Sequence, residues 1–410
     1  MRGSFVAVAI LACAAAYACD SFEATDEQPG PDASDDRSNV EPDSGNPGDA
    51  APDQSSGCSG EPAWVTPDAG QAMTTCGGEP VSLLNHPKHC GRCDHSCGAD
   101  SCVAGLCVER KDDSDTAVIG GVHQGAVFYA RRPGGTFGGQ GHELKKLVPG
   151  MGSVVMASFG TDAGDAGGEK EIVNGAPAGD FIYLRTKKAV WRTSATTPSS
   201  EVPTFIATVP EAAFASLAID GNRIIATDPP DNRIDEVLLD GGLIPFIANA
   251  PKAGESRFAN GKYLWASQSF ILFQGSASSV HLFDGGNDKP ILESQDKLGG
   301  LAVDGNDLYV MRAATPGAIV HIDLTTFATQ PFFEGPLDNS GYSMSVAVDA
   351  THVYWLQEVG VDRAKTEIWK KARCGGEAVR IGHHPNAYNL AALGDRVYIG
   401  AEDGLYSIAK

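Results

Sequence analysis

The sequence predicts an all-β chain: a seven-bladed β-propeller closed by an N-terminal strand, preceded by a disordered linker and a small disulfide-rich segment. Three observations carry this. Units of about 40–45 residues recur beyond Asp115. Short apolar runs there alternate with Asp-Gly, Asn-Gly and Gly-Gly turns. Glycine and proline are abundant, 49 and 24 of 410 residues, which favours tight turns over long helices.

Composition sets the outer bounds. With 42% hydrophobic and 20% charged residues, most of the chain can bury a core. Lys and Arg total 31 against 52 Asp and Glu, for a net charge of −21, which argues against a nucleic-acid partner.

Residues 1–19, MRGSFVAVAILACAAAYAC, carry one cation, Arg2, then an uncharged run from Phe5 to Ala18. This is the pattern of a signal peptide, too short for the ~20 apolar residues that span a bilayer. Ala16-Tyr17-Ala18 suits an ordinary signal peptidase, and Cys19 directly after it resembles the lipidated cysteine of bacterial lipoproteins, with Cys13 a second candidate. Export is expected, with a lipid anchor on Cys19 as the only membrane contact, at the outer membrane, the cell surface or in secreted or periplasmic form.

Residues 20–57 hold eleven acidic residues, one basic residue and five prolines. Such a segment buries too little surface to offset ordering and reads as a solvated tether, with a reach of roughly 35 Å. It carries about half of the net charge.

Residues 58–110 form a cysteine-dense segment: Cys58, Cys76, Cys90, Cys93, Cys97, Cys102 and Cys107. In an exported chain a stretch with so little apolar bulk is expected to be stapled by disulfides. The competing reading is zinc, because Cys90-x2-Cys93 lies beside His86, His89 and His95. Seven is odd, so one thiol is free or pairs elsewhere, and Cys374 is the distant candidate; the connectivity stays open.

The repeat occupies 116–410. LAIDGNRIIA (217–226), LAVDGNDLYV (301–310) and VAVDATHVYW (346–355) align, anchored on Asp220, Asp304 and Asp349. Weaker copies place Gln124, Ala178, Asn260 and Leu393 in the anchor position, with Tyr129, Tyr183, Ile225, Trp265, Tyr309, Tyr354 and Tyr398 five residues later. Each unit reads as four strands joined by turns whose glycines supply positive φ. The seventh unit ends at Lys410 after its third strand, while Thr116–Ile119 precedes the first inner strand as a surplus run. Pairing that run with the last unit is expected to close the ring and remove an exposed edge.

The blade pattern resembles the extracytoplasmic β-propellers of bacterial surface proteins and, through Val353-Tyr354-Trp355, is distantly similar to YWTD-type propellers, although the full tetrapeptide is absent. Leader, acidic spacer, Cys90-Gly91-Arg92-Cys93 cluster and propeller together resemble a group of myxobacterial-type exported proteins. The resemblance implies architecture rather than activity.

No HExxH, G-x-S-x-G, Walker or Rossmann pattern occurs. The Gly-rich stretch 134–141 reads as a hairpin loop and the acidic stretch 162–168 as a surface excursion. Asp220, Asp304 and Asp349, with Asn260 and Gln124, are candidates for a Ca²⁺ ring, weighed against their role in opening turns; no other cofactor is expected. His383-His384 is a weaker metal candidate. Loops joining outer to next inner strands are the expected contact region, carrying Lys252, Glu255, Arg257, Asp296, Lys297, Tyr342, His383, His384 and Tyr388. The resulting expectation is a monomeric scaffold that binds a protein, peptide or glycan of the envelope. The alternatives are a funnel-site lactonase, lyase or glycosidase, and a purely structural envelope role.

Overall fold

The computed structural model describes residues 73–410, except 91–92, 94–95, 98–100, 104–105, 113–115, 133–141, 160–171, 200–201, 211–215, 222, 229–230, 251–252, 260–261, 268–277, 285, 314–316, 336–344, 359–365 and 385. The leader with Cys19, the acidic tether, Cys58, Lys252, Asn260, Tyr342 and the loops 134–141 and 162–168 therefore lie outside the described residues. All described elements are strands and turns, and the sheets are antiparallel throughout. Six four-stranded blades follow one another: blade 1 (116–158), blade 2 (172–208), blade 3 (217–247), blade 4 (253–294), blade 5 (297–335) and blade 6 (346–384). Blade 7 combines three C-terminal strands (387–409) with Leu106–Asp112 and Ser101–Val103. Seven blades are present, as the repeat period requires.

In blades 3 and 5 the turns between first and second strands are the hairpins that Asp220-Gly221 and Asp304-Gly305 announce. Gly221 and Gly305 sit at φ +57° and +58°, a region open to glycine at no steric cost. The equivalent turns correct the alignment in two units. In blade 1 the pair before the turn is His123↔Ala126, and in blade 4 it is Ala259↔Lys262. Gln124 is thus a turn residue, one position beyond the anchor, and the anchor of blade 4 is Ala259 rather than Asn260, which lies outside the described residues. The slip matters because side chains alternate between sheet faces. Tyr129 and Trp265 pack backward, against Leu405 and Tyr398 of blade 7 and against Ile225 of blade 3 respectively. The buried column facing the next blade is Phe128, Tyr183, Ile225, Leu264, Tyr309, Tyr354 and Tyr398.

Every fourth strand carries a β-bulge at one equivalent place. The residues skipped in the ladders are Met156, Ile206, Phe246, Ile291, Phe332 and Ile381 in blades 1–6. Pro245, Pro290 and Pro331 directly precede three of them, which suits a free edge where a missing N–H costs no ladder bond. In blade 7 the skipped residue is Lys111 of Leu106–Asp112.

That bulge identifies the closing strand. Leu106–Asp112 pairs with Gly404–Ala409 through Leu405↔Asp112, Tyr406↔Arg110, Ser407↔Glu109 and Ile408↔Val108. The ring is closed by an N-terminal strand as expected, but not by Thr116–Ile119, which instead begins the innermost strand of blade 1, Thr116–His123. An apolar run looked like the natural closing strand, whereas an outer edge strand is half solvated and here reads LCVERKD. Gly404 permits the contact: a Cβ there would lie 2.3 Å from the Asp112 carbonyl oxygen. Asp112 then locks the seam to blade 1, accepting hydrogen bonds from the Tyr129 hydroxyl at 2.5 Å and the Lys145 ammonium at 2.6 Å. Beyond the closing strand, Ser101–Val103 leads into a small segment stapled by Cys76–Cys93 and Cys90–Cys102. Cys97 and Cys374 are disulfide-bonded as well.

Each of the seven blade interfaces holds its own apolar cluster. Near the axis a second device ties neighbours together. The residue four positions before the anchor hands its side chain to the backbone of the next blade. Asn174 Oδ1 accepts the Leu217 N–H at 3.3 Å, Ser216 Oγ that of Ser256 at 3.3 Å, and Ser345 Oγ that of Leu390 at 3.1 Å. Asn389 spans the last interface twice, accepting from the Ile119 N–H at 3.1 Å and donating to its carbonyl at 2.8 Å. Innermost strands have no strand partner toward the axis, so these side chains satisfy groups that would otherwise be left to water.

Asp112→Ala strands a largely buried ammonium beside a buried phenol and is expected to cost about 3–5 kcal/mol in chemical denaturation of the full chain. Asn389→Ala is expected to cost about 1–3 kcal/mol. A loss under about 0.5 kcal/mol for Asp112→Ala would mean that the seam is fastened elsewhere.

Candidate functional site

First-to-second and third-to-fourth turns share one face of the ring, here the lower face. Second-to-third turns and the links between blades share the upper face. Among the described residues, the backbone positions of the expected contact set divide between the upper face and the axis. His383 and His384 end the outer strand Val379–His384, across from Glu367 and Thr366. His384 is half-buried, with Nε2 3.6 Å from Asp403 and its ring 4.2 Å from that of Tyr406. Burial, then the Asp403 carboxylate that accepts its hydrogen bond, pushes the Tyr406 phenol up to about 12. His384 is thereby part of the seam between blades 6 and 7. Tyr388 and Arg257 lie on the innermost strands of blades 7 and 4, Ala387–Leu393 and Ala253–Ala259, and the Arg257 guanidinium donates to the Ser256 carbonyl at 2.8 Å. His383, His384 and Tyr388 flank the one link between blades 6 and 7, whereas Arg257 stands on blade 4.

On the lower face, two of the proposed Ca²⁺ ligands, Asp304 and Asp349, are bound by cations. Arg373, in the third-to-fourth turn of blade 6, binds Asp304 and Asp307 of blade 5 and donates to the Tyr309 hydroxyl at 3.3 Å. Lys410 of blade 7 binds Asp349 of blade 6. Asp349 also closes its own turn, accepting from the N–H groups of Thr351 and His352 at 2.8 Å each. Burial alone would raise the Asp349 carboxyl, but Lys410, the two N–H groups and the Thr351 hydroxyl overcome it and hold the acid well below the usual carboxylate range. Asp220 ends its strand exposed, and Gln124 is a turn residue at φ 48°. These residues fit blade stitching and turn formation rather than a shared ion. Among the described residues, the group of three potential ligands within 4.8 Å of one another is Cys90, Cys97 and Cys102, all disulfide-bonded, which disfavours zinc there.

Two arrangements escaped sequence reasoning. The first is a relay in blade 4. Ser279 Oγ lies 2.8 Å from His281 Nε2, and His281 Nδ1 lies 2.9 Å from Asp288 Oδ2. The Trp265 indole N–H donates to the other Asp288 oxygen at 3.0 Å, and its ring stacks on His281 at 4.1 Å. Ser279 and His281 are two apart on one strand, so they share a face. Their pairing with Asp288 needs the hairpin to form, and no local motif marks it.

The second is a groove between blades 5 and 6 of about 540 Å³. It is lined by Phe332, Phe333, Glu334, Trp369, Lys371 and Glu377, among others. The outer-strand bulge at Phe332 disturbs the strict alternation there, and Phe332 and Phe333 both reach the groove. The Trp369 indole donates to Glu367 at 3.1 Å, and the Lys371 ammonium donates to the Phe332 carbonyl at 2.6 Å. Burial lowers the Lys371 pKa below that of an ordinary lysine. Half-buried aromatics beside a desolvated cation and two exposed carboxylates can stack on, and hydrogen-bond to, an extended ligand. The sequence signal was present in PFFEG and EIWKK, but neither run differs locally from an ordinary blade strand.

Because the folded Asp349 pKa is depressed, its stabilising contribution is full above its unfolded value near 3.9 and is lost as pH falls through the folded value. Asp349→Asn is therefore expected to lower the melting temperature at pH 6, with the gap to wild type shrinking as thermal scans move from pH 4 toward pH 2. A gap independent of pH would separate Asp349 from this ion pair.

No protein-family model matches the chain, and no curated protein matches it. Many solved structures do. Virginiamycin B lyase from Staphylococcus aureus aligns with a TM-score of 0.54 at 11% identity, over 74% of this chain and 99% of that one. The extracellular domain of a hybrid two-component system from B. thetaiotaomicron aligns at 0.51 and 11%, over 74% and 40%. The WD40 propeller of Doa1 aligns at 0.49 and 14%, over 74% and 95%. At these identities the likeness of the first two shows the fold, and the fold alone.

Proposed function

We propose that this chain is an exported β-propeller, held to the cell envelope by a lipid on Cys19 or released from it, that works as a single-copy binding scaffold for a protein, peptide or glycan. The observation that carries the reading is the groove between blades 5 and 6. It supplies stacking surface from Trp369, Phe332 and Phe333, a cation at Lys371 and acceptors at Glu334 and Glu377, on a rigid two-blade support. The acidic tether before residue 58 suits a domain held clear of a surface. Arg257, Tyr342, His383, His384 and Tyr388 remain a second proposed contact set.

The relay Ser279–His281–Asp288 favours one competing reading, a hydrolase that activates Ser279 through His281. Against it, the Asp288 carboxylate is shared with Trp265, so the same bonds pin the hairpin to its neighbour strand.

Arrays of envelope glycans and short peptides, read by the change in tryptophan fluorescence, test the scaffold. A saturable ligand is expected, with affinity falling at least about 10-fold in Trp369→Ala, roughly the 1.4 kcal/mol of one lost stacking contact. A ligand unaffected by Trp369→Ala and Lys371→Ala would move the site away from this groove. A fluorophosphonate probe separates the second reading: covalent labelling of Ser279, lost in His281→Ala, would make the protein a hydrolase instead.

A further inference from the structure

Two aromatic rings of the groove between blades 5 and 6 are fixed before any ligand arrives. Trp369 donates its indole N–H to Glu367, whose other oxygen binds Arg380 at 2.5 Å, and its ring lies nearly parallel to that of buried Trp355, with centroids 6.3 Å apart. Phe333 leans on the same Trp355 at 4.8 Å. The Phe333 ring covers Gly335, where an added Cβ would come within 2.5 Å of its Cζ. Lys371 stands 5.0 Å from the Phe332 ring centroid while its ammonium donates to the Phe332 carbonyl. The cation of the groove is thus held against the groove's own wall, where burial lowers its pKa. Glu334 and Glu377 differ: both are exposed, and among the described residues neither carboxylate has an ion pair or a hydrogen bond.

We propose that the ligand of this groove is a basic peptide segment, one arginine of which stacks on the Trp369 and Phe333 rings while Glu334 and Glu377 neutralise its guanidinium. The inference rests on the groove reading above and adds the chemistry of the ligand. An aromatic face attracts a cation through its quadrupole, and a planar guanidinium both stacks on such a face and pairs with carboxylates. Lys371 over Phe332 is the same contact made within the chain. Because Lys371 is engaged, the cation that balances the two glutamates has to come with the ligand. A neutral saccharide stacks on these rings as well, but leaves both carboxylates uncompensated as the groove loses water. An acidic ligand meets like charge, on a chain of net charge −21. The consecutive residues Pro331 to Gly335 form one wall of the groove, a span of roughly 13 Å that suits an extended segment of similar length.

The test uses the full chain and pools of acetylated, amidated hexapeptides in which one residue is fixed as arginine, as its neutral isostere citrulline, or as glutamate. Binding is read by tryptophan fluorescence, beside the neutral tetramer of N-acetylglucosamine. Arginine pools are expected to bind saturably and at least about 10-fold more tightly than citrulline pools, with affinity falling as salt rises from about 50 to about 500 mM. Replacing both carboxylates, Glu334→Gln with Glu377→Gln, is expected to erase the advantage of arginine while citrulline pools bind as before. Trp369→Ala, and Gly335→Ala, which displaces the Phe333 ring, are expected to weaken both. Binding that Trp369→Ala abolishes but that shows no preference for arginine, or that favours the saccharide, would overturn the inference and leave the groove reading standing. Arginine binding that survives Trp369→Ala and Gly335→Ala would overturn both, since the basic peptide then sits elsewhere on an acidic surface. No saturable binding of any pool up to ~1 mM would also sink the inference.

Discussion

A ring of sheets has no spare edge, and the whole propeller depends on the seam where its first and last residues meet. Blade 7 reaches the chain terminus one strand short of a full blade. Leu106–Asp112 supplies that strand, complete with the outer-strand bulge at Lys111. Tyr129 and Lys145 of blade 1 then converge on Asp112 in a nearly dry pocket, where a charge pair is weakly screened and a missing partner is costly. Because the closing strand continues directly into the disulfide-stapled segment, the covalent knot and the ring closure are one mechanical unit.

Around the axis the blades are held in two layers. Small polar side chains at one repeated position, Asn174, Ser216, Ser345 and Asn389, occupy backbone groups of the next blade on the inner side. On the lower face, Arg373 and Lys410 reach from one blade to the acidic turn of the one before it. The aspartates that open the hairpins thus serve twice, as turn formers and as partners for these cations. Ionisable side chains thus hold blades together on the lower face, while half-buried aromatics line the groove between blades 5 and 6.

The misplacement of two repeats shows how propeller sequences mislead. Tyr129 and Trp265 drew the weak units into alignment because a bulky aromatic five residues past the anchor looked diagnostic. In a strand one residue of slip exchanges the two faces, and here both faces are buried, so hydrophobicity alone does not betray the error. The turn does betray it: Gln124 occupies the position that Gly179, Gly221, Gly305 and Gly394 fill elsewhere, and in blade 4 the pair before the turn is Ala259↔Lys262.

What this sequence determined by itself is the class of object: the period set the number of blades, the Asp-Gly pairs placed hairpins, and the cysteine density announced a stapled segment. These are local properties, written in neighbouring residues. Only the tertiary structure decided which strand closes the ring, which carboxylates are spoken for by Arg373 and Lys410, and that Phe332, Phe333, Trp369 and Lys371 line one groove. Each of those depends on residues from different blades meeting across an interface, and no spacing along the chain records that meeting.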